Sequence, residues 1–334
     1  MSNFIKRLFF LALITPFTIF SYEFSAMTLN VDNLFDTLDD IKKDDKAYLP
    51  IQFKQSDAHK KSCNRIRVNS WKNECLFLDW NEDTKNAKLR NIANSIISYG
   101  SNGPDIIALQ EVENNNILNQ LLELLRPYGF VDSVLIEGKD YRGIDTALIT
   151  KFKILDSKLH YIKFSGEFEG KDTRPILDAT LEINGEKIKI YNVHFPSGFH
   201  DVSMRVDSLN VLSKLLNSHD YPTIALGDFN VNTKEDNQLD IYKSQEAFWS
   251  VAHIFGCKDC KGSFYYNYGK TWEFLDTIFL SKDRNILYIK DSIDIYRTKS
   301  NSYSDTGKPK NFNPTKKYGV SDHLPMVAKF RIIN

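Results

Sequence analysis

The sequence predicts an α/β fold of two packed β-sheets flanked by helices, and three observations support that reading. Short apolar, β-branched runs separated by turn residues recur along the chain, with only a few amphipathic helical stretches between them. Acidic, amide and imidazole residues fall at the ends of several of those runs, where a packed strand fixes the backbone and the following loop can bend. No Pro/Gly-rich linker, internal repeat or low-complexity block divides the chain. Its 334 residues, 42% of them hydrophobic, therefore read as one domain over residues 22–334 with a full core.

The elements follow in order. Lys6-Arg7 precedes an apolar stretch from Leu8 to Phe20. That is too short for the roughly 20 residues of a spanning helix and suits the core of a signal peptide over residues 1–21. Cleavage is expected after Ser21, with Ala26 as the alternative, and the mature protein is expected in the periplasm or outside the cell. An uncleaved membrane anchor is the competing reading. Ala26 to Val31 reads as a first buried strand carrying Asn30. The polar stretch from Asp32 to Asn86 reads as a long functional or partly ordered loop. Leu89, Ile92, Ala93, Ile96 and Ile97 repeat at helical spacing, and Tyr99 to Pro104 stops that helix.

Asp105 to Gln110 is a short buried strand with Glu111 at its end. Ile117, Leu118, Leu121, Leu122 and Leu125 mark a second helix, closed by Pro127 and Gly129. Strands are then expected over Val131–Ile136, Asp145–Thr150, Ile154–Ile162, Pro175–Ile183 and Lys187–His194, the last two joined by an Asn184-Gly185 hairpin turn. Val206, Leu209, Leu212, Leu215 and Leu216 make a third helix. Thr223–Leu226, Phe274–Leu280 and Met326–Ile332 complete the strands.

Four cysteines accompany the export signal, and an even count in an exported chain favours disulfides, here Cys63–Cys75 and Cys257–Cys260. A zinc site on the C-x2-C pair would need two more ligands, and His253 is the one close candidate. Charge is balanced at 43 basic and 43 acidic residues. The chain thus lacks the broad basic field of a tight nonspecific DNA binder, although local basic patches remain compatible with it.

The strand-end polar residues are Asn30, Glu111, Asp145, His194, Asp228, Asn230, Asp276, Asp322 and His323. Singly, such residues often cap turns. Together they supply hard oxygen ligands for a Mg²⁺-like ion and groups that transfer protons.

Leu109-Gln110-Glu111-Val112, Asn192-Val193-His194, Gly227-Asp228-Phe229-Asn230 and Ser321-Asp322-His323 occur in the order of the endonuclease/exonuclease/phosphatase superfamily, which the chain resembles from about Met27 to Phe330. Arg142-Gly143-Ile144-Asp145, Thr173-Arg174-Pro175-Ile176-Leu177 and Thr271 to Asp276 resemble an exported bacterial branch of it. Thr146 and Pro175 depart from that branch, where Val and Asp are usual. The resemblance implies a deoxyribonuclease I-like four-layer α/β sandwich, two mixed sheets covered by helices, with the site at one end. It implies Mg²⁺, with Mn²⁺ as the alternative, held by Glu111 and Asp322, with Asn30 as oxygen donor or orienting group. Asp228 would align or deprotonate the attacking water, Asn230 and His194 would donate to the phosphate, and Asp276 would orient His323 on it. Arg142 and Arg174 would bind substrate, and Asp145 has no settled role.

The expected activity is phosphodiester hydrolysis by a nuclease, with a phosphodiesterase or phosphatase on lipid head groups or phosphorylated small molecules as the alternative. An inactive binding module is disfavoured, because Glu111, His194, Asp228 and His323 are all present. The segment from Asp283 to Tyr318 holds eight Lys and Arg among Tyr and Phe, a composition that can track a phosphate backbone and stack on bases. Nucleic acid or another phosphoester is thus the expected partner, for a monomer with no protein partner implied.

Overall fold

The computed structural model describes residues 21–333 apart from 258 and 283, so the leader up to residue 20 lies outside the described residues. Among the described residues fifteen strands run in chain order. They are β1 (Ser21–Leu34), β2 (Ile106–Val112), β3 (Asp132–Leu135), β4 (Asp145–Thr150), β5 (Lys153–His160), β6 (Ile176–Ile183), β7 (Glu186–His194) and β8 (Thr223–Asp228). After them come β9 (Trp249–Val251), β10 (Phe264–Tyr266), β11 (Thr271–Glu273), β12 (Asp276–Ser281), β13 (Ile286–Tyr288), β14 (Asp294–Ile295) and β15 (Met326–Ile333). The helices are α1 (Asp57–Cys63), α2 (Asn69–Phe77), α3 (Glu82–Ile97), α4 (Asn115–Leu125), α5 (Val202–Leu216), α6 (Thr233–Leu239), α7 (Ile241–Ser244) and α8 (Ala252–Phe255).

One sheet has the order β13-β15-β1-β2-β4-β3, with β14 also pairing β15; the other runs β5-β6-β7-β8-β12-β9. Alternation along the strands explains why the sheets stack. Ala26, Ile106, Ala108 and Leu148 of the first sheet meet Leu177, Ile190, Leu226 and Ile278 of the second in one buried core. Their neighbours Met27, Leu29, Ile107 and Leu109 point the other way, onto Leu89, Ile92 and Ile96 of α3 and Leu118 and Leu121 of α4. Val193, Ala225 and Phe279 likewise pack outward on Leu209, Leu212 and Leu216 of α5. Both faces of each sheet are buried, so the molecule has four layers, helix–sheet–sheet–helix.

Each sheet contains one parallel pair, β1 with β2 and β7 with β8. A parallel pair needs a crossover, supplied here by the segment ending in α3 and by α5. The carboxyl ends of β1, β2, β7 and β8 deliver Asn30, Glu111, His194 and Asp228, the residues that meet in the candidate site. Between the sheets, Gln110 Nε2 donates to Asn192 Oδ1 at 2.8 Å and to Thr28 Oγ1 at 3.1 Å. Asn192 Nδ2 in turn donates to the carbonyls of Leu109 (2.9 Å) and Ala147 (2.8 Å). Buried amides bonded this fully fix one register of sheet on sheet.

Several boundaries differ from the sequence reading. β1 runs on to Leu34 rather than stopping at Val31, with its pairing shifted between Asn30 and Leu34. The stretch expected as a loop over residues 32–86 carries two 3₁₀ turns, α1, α2 and the start of α3. It is pinned by the Cys63–Cys75 disulfide and by a cluster of Phe35, Trp80 and Ile144. Polar composition hid it, because α1 and α2 bury only His59, Cys63 and Cys75. Cys257 and Cys260 also pair with each other rather than bind zinc. His253 lies instead between the rings of Tyr242 and Phe274.

Candidate active site

Two backbone irregularities aim the first sheet's groups. Glu111 has φ 66°, and the β2–β4 register shifts around it, so it is the extra residue of a bulge turned away from the ladder. A left-handed carboxylate residue is costly, and such strain persists where the surroundings over-determine it. In β1, Asp32 and Asn33 are also left-handed (φ 54° and 63°), which presents Asn33 N–H to Glu111 Oε2 at 3.0 Å. Asn30 Nδ2 donates to Asp228 Oδ2 (3.1 Å) and approaches Glu111 Oε1 (3.4 Å), while its Oδ1 accepts from Asp32 N–H at 3.0 Å. That last bond fixes the amide orientation. Asn30 thus stands as an orienting donor between two carboxylates, one of its two expected roles.

The second sheet contributes the rest. Gly227 is needed just before Asp228, because a Cβ there (φ 146°) would lie 2.1 Å from the Val193 carbonyl of the adjacent strand. Asp228 Oδ1 accepts from Asn230 N–H at 2.9 Å, and Asn230 Nδ2 donates to the Phe195 carbonyl at 3.1 Å. His194 Nε2 lies 3.6 Å from Asp228 Oδ2 and 3.8 Å from Glu111 Oε1. Asp276 stands opposite Asp228 in the β8–β12 pairing, and its Oδ2 is 2.6 Å from His323 Nδ1. Asp322 Oδ1 lies 3.9 Å from His323 Nε2. Ser321 Oγ donates to the Asn30 carbonyl (2.6 Å) and accepts from His323 N–H (3.0 Å), tying the Ser-Asp-His turn to β1.

The electrostatics divide the two histidines. Burial, with Arg174 and Arg142 nearby, holds the His194 ring well below its usual range, so it is neutral. Burial also pulls His323 down, but the charges of Asp276 and Asp322 outweigh it and push the imidazole well up, so it is a cation. Burial and then Asp276 raise Asp228 to about 7, at the border between base and acid near neutrality.

The remaining expected residues lie on the flank. Arg174 is buried and donates Nε to the His194 carbonyl (3.2 Å), Nη2 to the Phe195 carbonyl (3.1 Å) and Nη1 to Asp140 Oδ2 (3.1 Å). Expected to bind substrate, it is tied by these three bonds to Asp140 and to the backbone beneath His194. Arg142 Nε is 3.8 Å from Asp140 and its side chain is 39% exposed, so it has the freer guanidinium. Asp145, given no settled role from sequence, accepts from Gly138 N–H through Oδ1 at 2.9 Å, a structural hydrogen bond. Sequence reasoning missed Asn33 and Lys88, and gave Ser321 of the Ser-Asp-His motif no role of its own. Lys88 is buried in α3, donates to the Asp32 carbonyl at 2.7 Å and faces the charges of Asp32, Asp322 and Glu111.

Glu111, Asp228, Asp276 and Asp322 thus bring four carboxyls together. Asp228, Asp276 and His323 offer ligand atoms within 4.8 Å of one another, although the short Asp276–His323 bond already engages two of them. A second trio with that spacing, His59, Cys63 and Cys75, has both sulfurs in the disulfide. Acidic groups able to hold a divalent ion therefore meet here, with Glu111 Oε2 fixed by the Asn33 N–H.

Two helix-covered mixed sheets with carboxyls, amides and imidazoles gathered at one end define a deoxyribonuclease I-like sandwich. The chain belongs to the endonuclease/exonuclease/phosphatase family, which it matches over residues 77–331. Members of that family are typically hydrolytic, divalent-metal-dependent phosphoesterases. No curated protein matches the chain in sequence. Among solved structures it is similar to an endonuclease/exonuclease/phosphatase family protein from Bacteroides thetaiotaomicron, at 15% identity and TM-score 0.57 over 94% of this chain and 99% of that one. A humanized D. rerio TDP2 aligns at 16% identity and TM-score 0.58 over 92% and 98%. The mannosyl-6-phosphatase of Bacteroides thetaiotaomicron aligns at 14% and 0.54 over 92% and 99%. At these identities the likeness is one of fold.

Proposed function

We propose that this chain is an exported, Mg²⁺-dependent nuclease that hydrolyses phosphodiester bonds by attack of water. The observation that carries the hydrolytic reading is the meeting of Glu111, His194, Asp228 and the Asp276–His323 pair from strands of both sheets. Mg²⁺, with Glu111 and Asp322 as its carboxylates, would polarise the phosphate and neutralise charge on it. Asp228, held by Asn30 and the Asn230 N–H, aligns the water and takes its proton. His323, kept charged by Asp276, stabilises charge that grows on the phosphate oxygens. His194 offers a neutral N–H, and Asn230 keeps one amide hydrogen for the substrate after bonding Phe195. Nucleic acid is favoured by the basic, aromatic segment from Asp283 to Tyr318. A structure solved for D. rerio TDP2 with a single-strand DNA product, at 17% identity, is compatible with that choice.

Purified protein assayed in parallel on plasmid DNA, RNA, sphingomyelin and phosphoinositides with Mg²⁺ tests the reading. Nucleic acid should be cleaved, and Glu111→Gln, which removes one charge at constant shape, should reduce cleavage about 100-fold or more with unchanged circular dichroism. Hydrolysis confined to the lipids would replace the nuclease reading with a head-group phosphodiesterase. Full turnover by Glu111→Gln at saturating Mg²⁺ would remove Glu111 from the metal site.

A further inference from the structure

Between β14 and β15 the chain folds back over α3. Asn91 Nδ2 donates to the carbonyls of Lys317 (3.2 Å) and Gly319 (2.9 Å), and Asn301 Nδ2 donates to Ser95 Oγ and the Tyr296 carbonyl, both at 3.1 Å. Gly319 is left-handed (φ 84°), and a Cβ on it would sit 2.0 Å from the Asn311 carbonyl, so the backbone here is tightly crossed. These contacts hold open a groove of about 450 Å³ walled by Asn91, Lys299, Tyr303, Lys310, Lys317 and Tyr318. No acidic residue lines it among the described residues. Lys317 pairs at 3.8 Å with Asp83, and Asp305 lies near Tyr303.

We propose that this groove binds single-stranded nucleic acid beside the scissile phosphate. The proposal deepens the nuclease reading above and rests on it. Tyr303 and Tyr318 are 42% and 41% exposed, which leaves ring surface uncovered where a base can lie. Lys310 Nζ is fixed by the Lys299 carbonyl at 2.7 Å and stands 5.2 Å from the Tyr303 ring, so a cation and an aromatic platform occur together. Lys299 and Lys317 are exposed and set to meet phosphates. A duplex hides its base faces in the stack, whereas a single strand presents them, so the tyrosines select the single strand.

The groove is also joined to the catalytic groups. Gly319 lines it and Asp322 follows three residues later, a reach of about 10 Å at most. Lys308, two residues before the groove's Lys310, holds Nζ 3.6 Å over the Tyr265 ring, and the adjacent Phe264 bridges to His323, with ring centroids 5.0 Å apart. A strand seated in the groove can therefore run on past Gly319 toward Asp322 and His323.

The test is fluorescence anisotropy of a labelled short oligothymidylate in EDTA, where no cleavage intervenes, with bis-p-nitrophenyl phosphate hydrolysis in Mg²⁺ as the check on fold and chemistry. Paired Tyr303→Ala and Tyr318→Ala should weaken binding about 10-fold or more. Paired Lys299→Ala and Lys317→Ala should flatten the slope of log Kd against log salt by about 1.4. Both variants should hydrolyse the small diester at the wild-type rate. Wild-type affinity in both variants, or a duplex bound as tightly as the single strand, would overturn the proposal. The nuclease reading fails separately, if the wild type hydrolyses the small diester but cleaves no nucleic acid.

Discussion

His323 sits where burial and neighbouring charge oppose each other, and charge wins through Asp276 and Asp322. Asp276 is fully buried, and its second oxygen has no hydrogen-bond partner among the described residues. Its role is therefore exercised through the imidazole. His323→Ala should lower kcat by about 100- to 1000-fold, the usual cost of losing one donor to transition-state charge. Asp276→Asn should be milder, and the double variant little worse than His323→Ala, because coupled groups are not additive. Steady-state rates of the four proteins decide it. Penalties that multiply would separate the two residues. Arg174 likewise has a positioning role, since three of its N–H groups hold the His194 and Phe195 carbonyls and Asp140.

At the scale of elements, α8 offers a measurable pH effect. Its His253 ring lies 4.5 Å from Phe274 and 4.6 Å from Tyr242, bonds Thr277 Oγ1 at 2.8 Å, and is lowered to about 3 by burial. The fold holds it neutral, whereas the unfolded chain protonates it below about 6.5. The stability it contributes is therefore complete above that pH and is lost on descent toward 3, by about 1.4 kcal/mol per unit. Urea unfolding at pH 7.5 and 5 should show wild type losing about 1–2 kcal/mol more than His253→Gln. Equal losses would show that the ring is not kept neutral. Elements with both faces buried were legible as unbroken apolar runs, as in Ile106–Leu109 and Ala147–Ile149. Strands β9, β13 and β14, of three or two residues, contain no run long enough to announce themselves. Site residues at strand ends were visible for the same reason that strands were. Asn33, Lys88 and the role of Ser321 were not, because each acts by reaching across from a distant segment: 78, 56 and 291 residues separate the partners.

Across the whole molecule the site is shared. Asn30, Glu111 and His323 stand on or beside the first sheet, while His194, Asp228 and Asp276 stand on the second. The Thr28–Gln110–Asn192 bonds fix the two halves in register. The same architecture bears on where a leader can be removed. β1 pairs with β15 from Ser21↔Ile333 to Thr28↔Met326, and buried Phe24 stacks on Phe330 at 5.3 Å. Cutting after Ala26 would strip that pairing and uncover Phe330. If the chain is exported as proposed, N-terminal sequencing of the recovered protein should begin at Tyr22, and a start at Met27 would contradict this.

The pairing of the first strand with the last has a consequence for biosynthesis. β1 emerges from the ribosome long before β15, yet β15 is one of its two neighbours in the sheet. Contacts so distant in sequence form slowly, and here they cannot form at all until β15 itself has been made. Throughout synthesis one edge of β1, with Phe24 and Ala26 beside it, has no partner. Until β15 docks, that open edge can pair with another chain instead, so refolding at high protein concentration should favour aggregates over the native sheet.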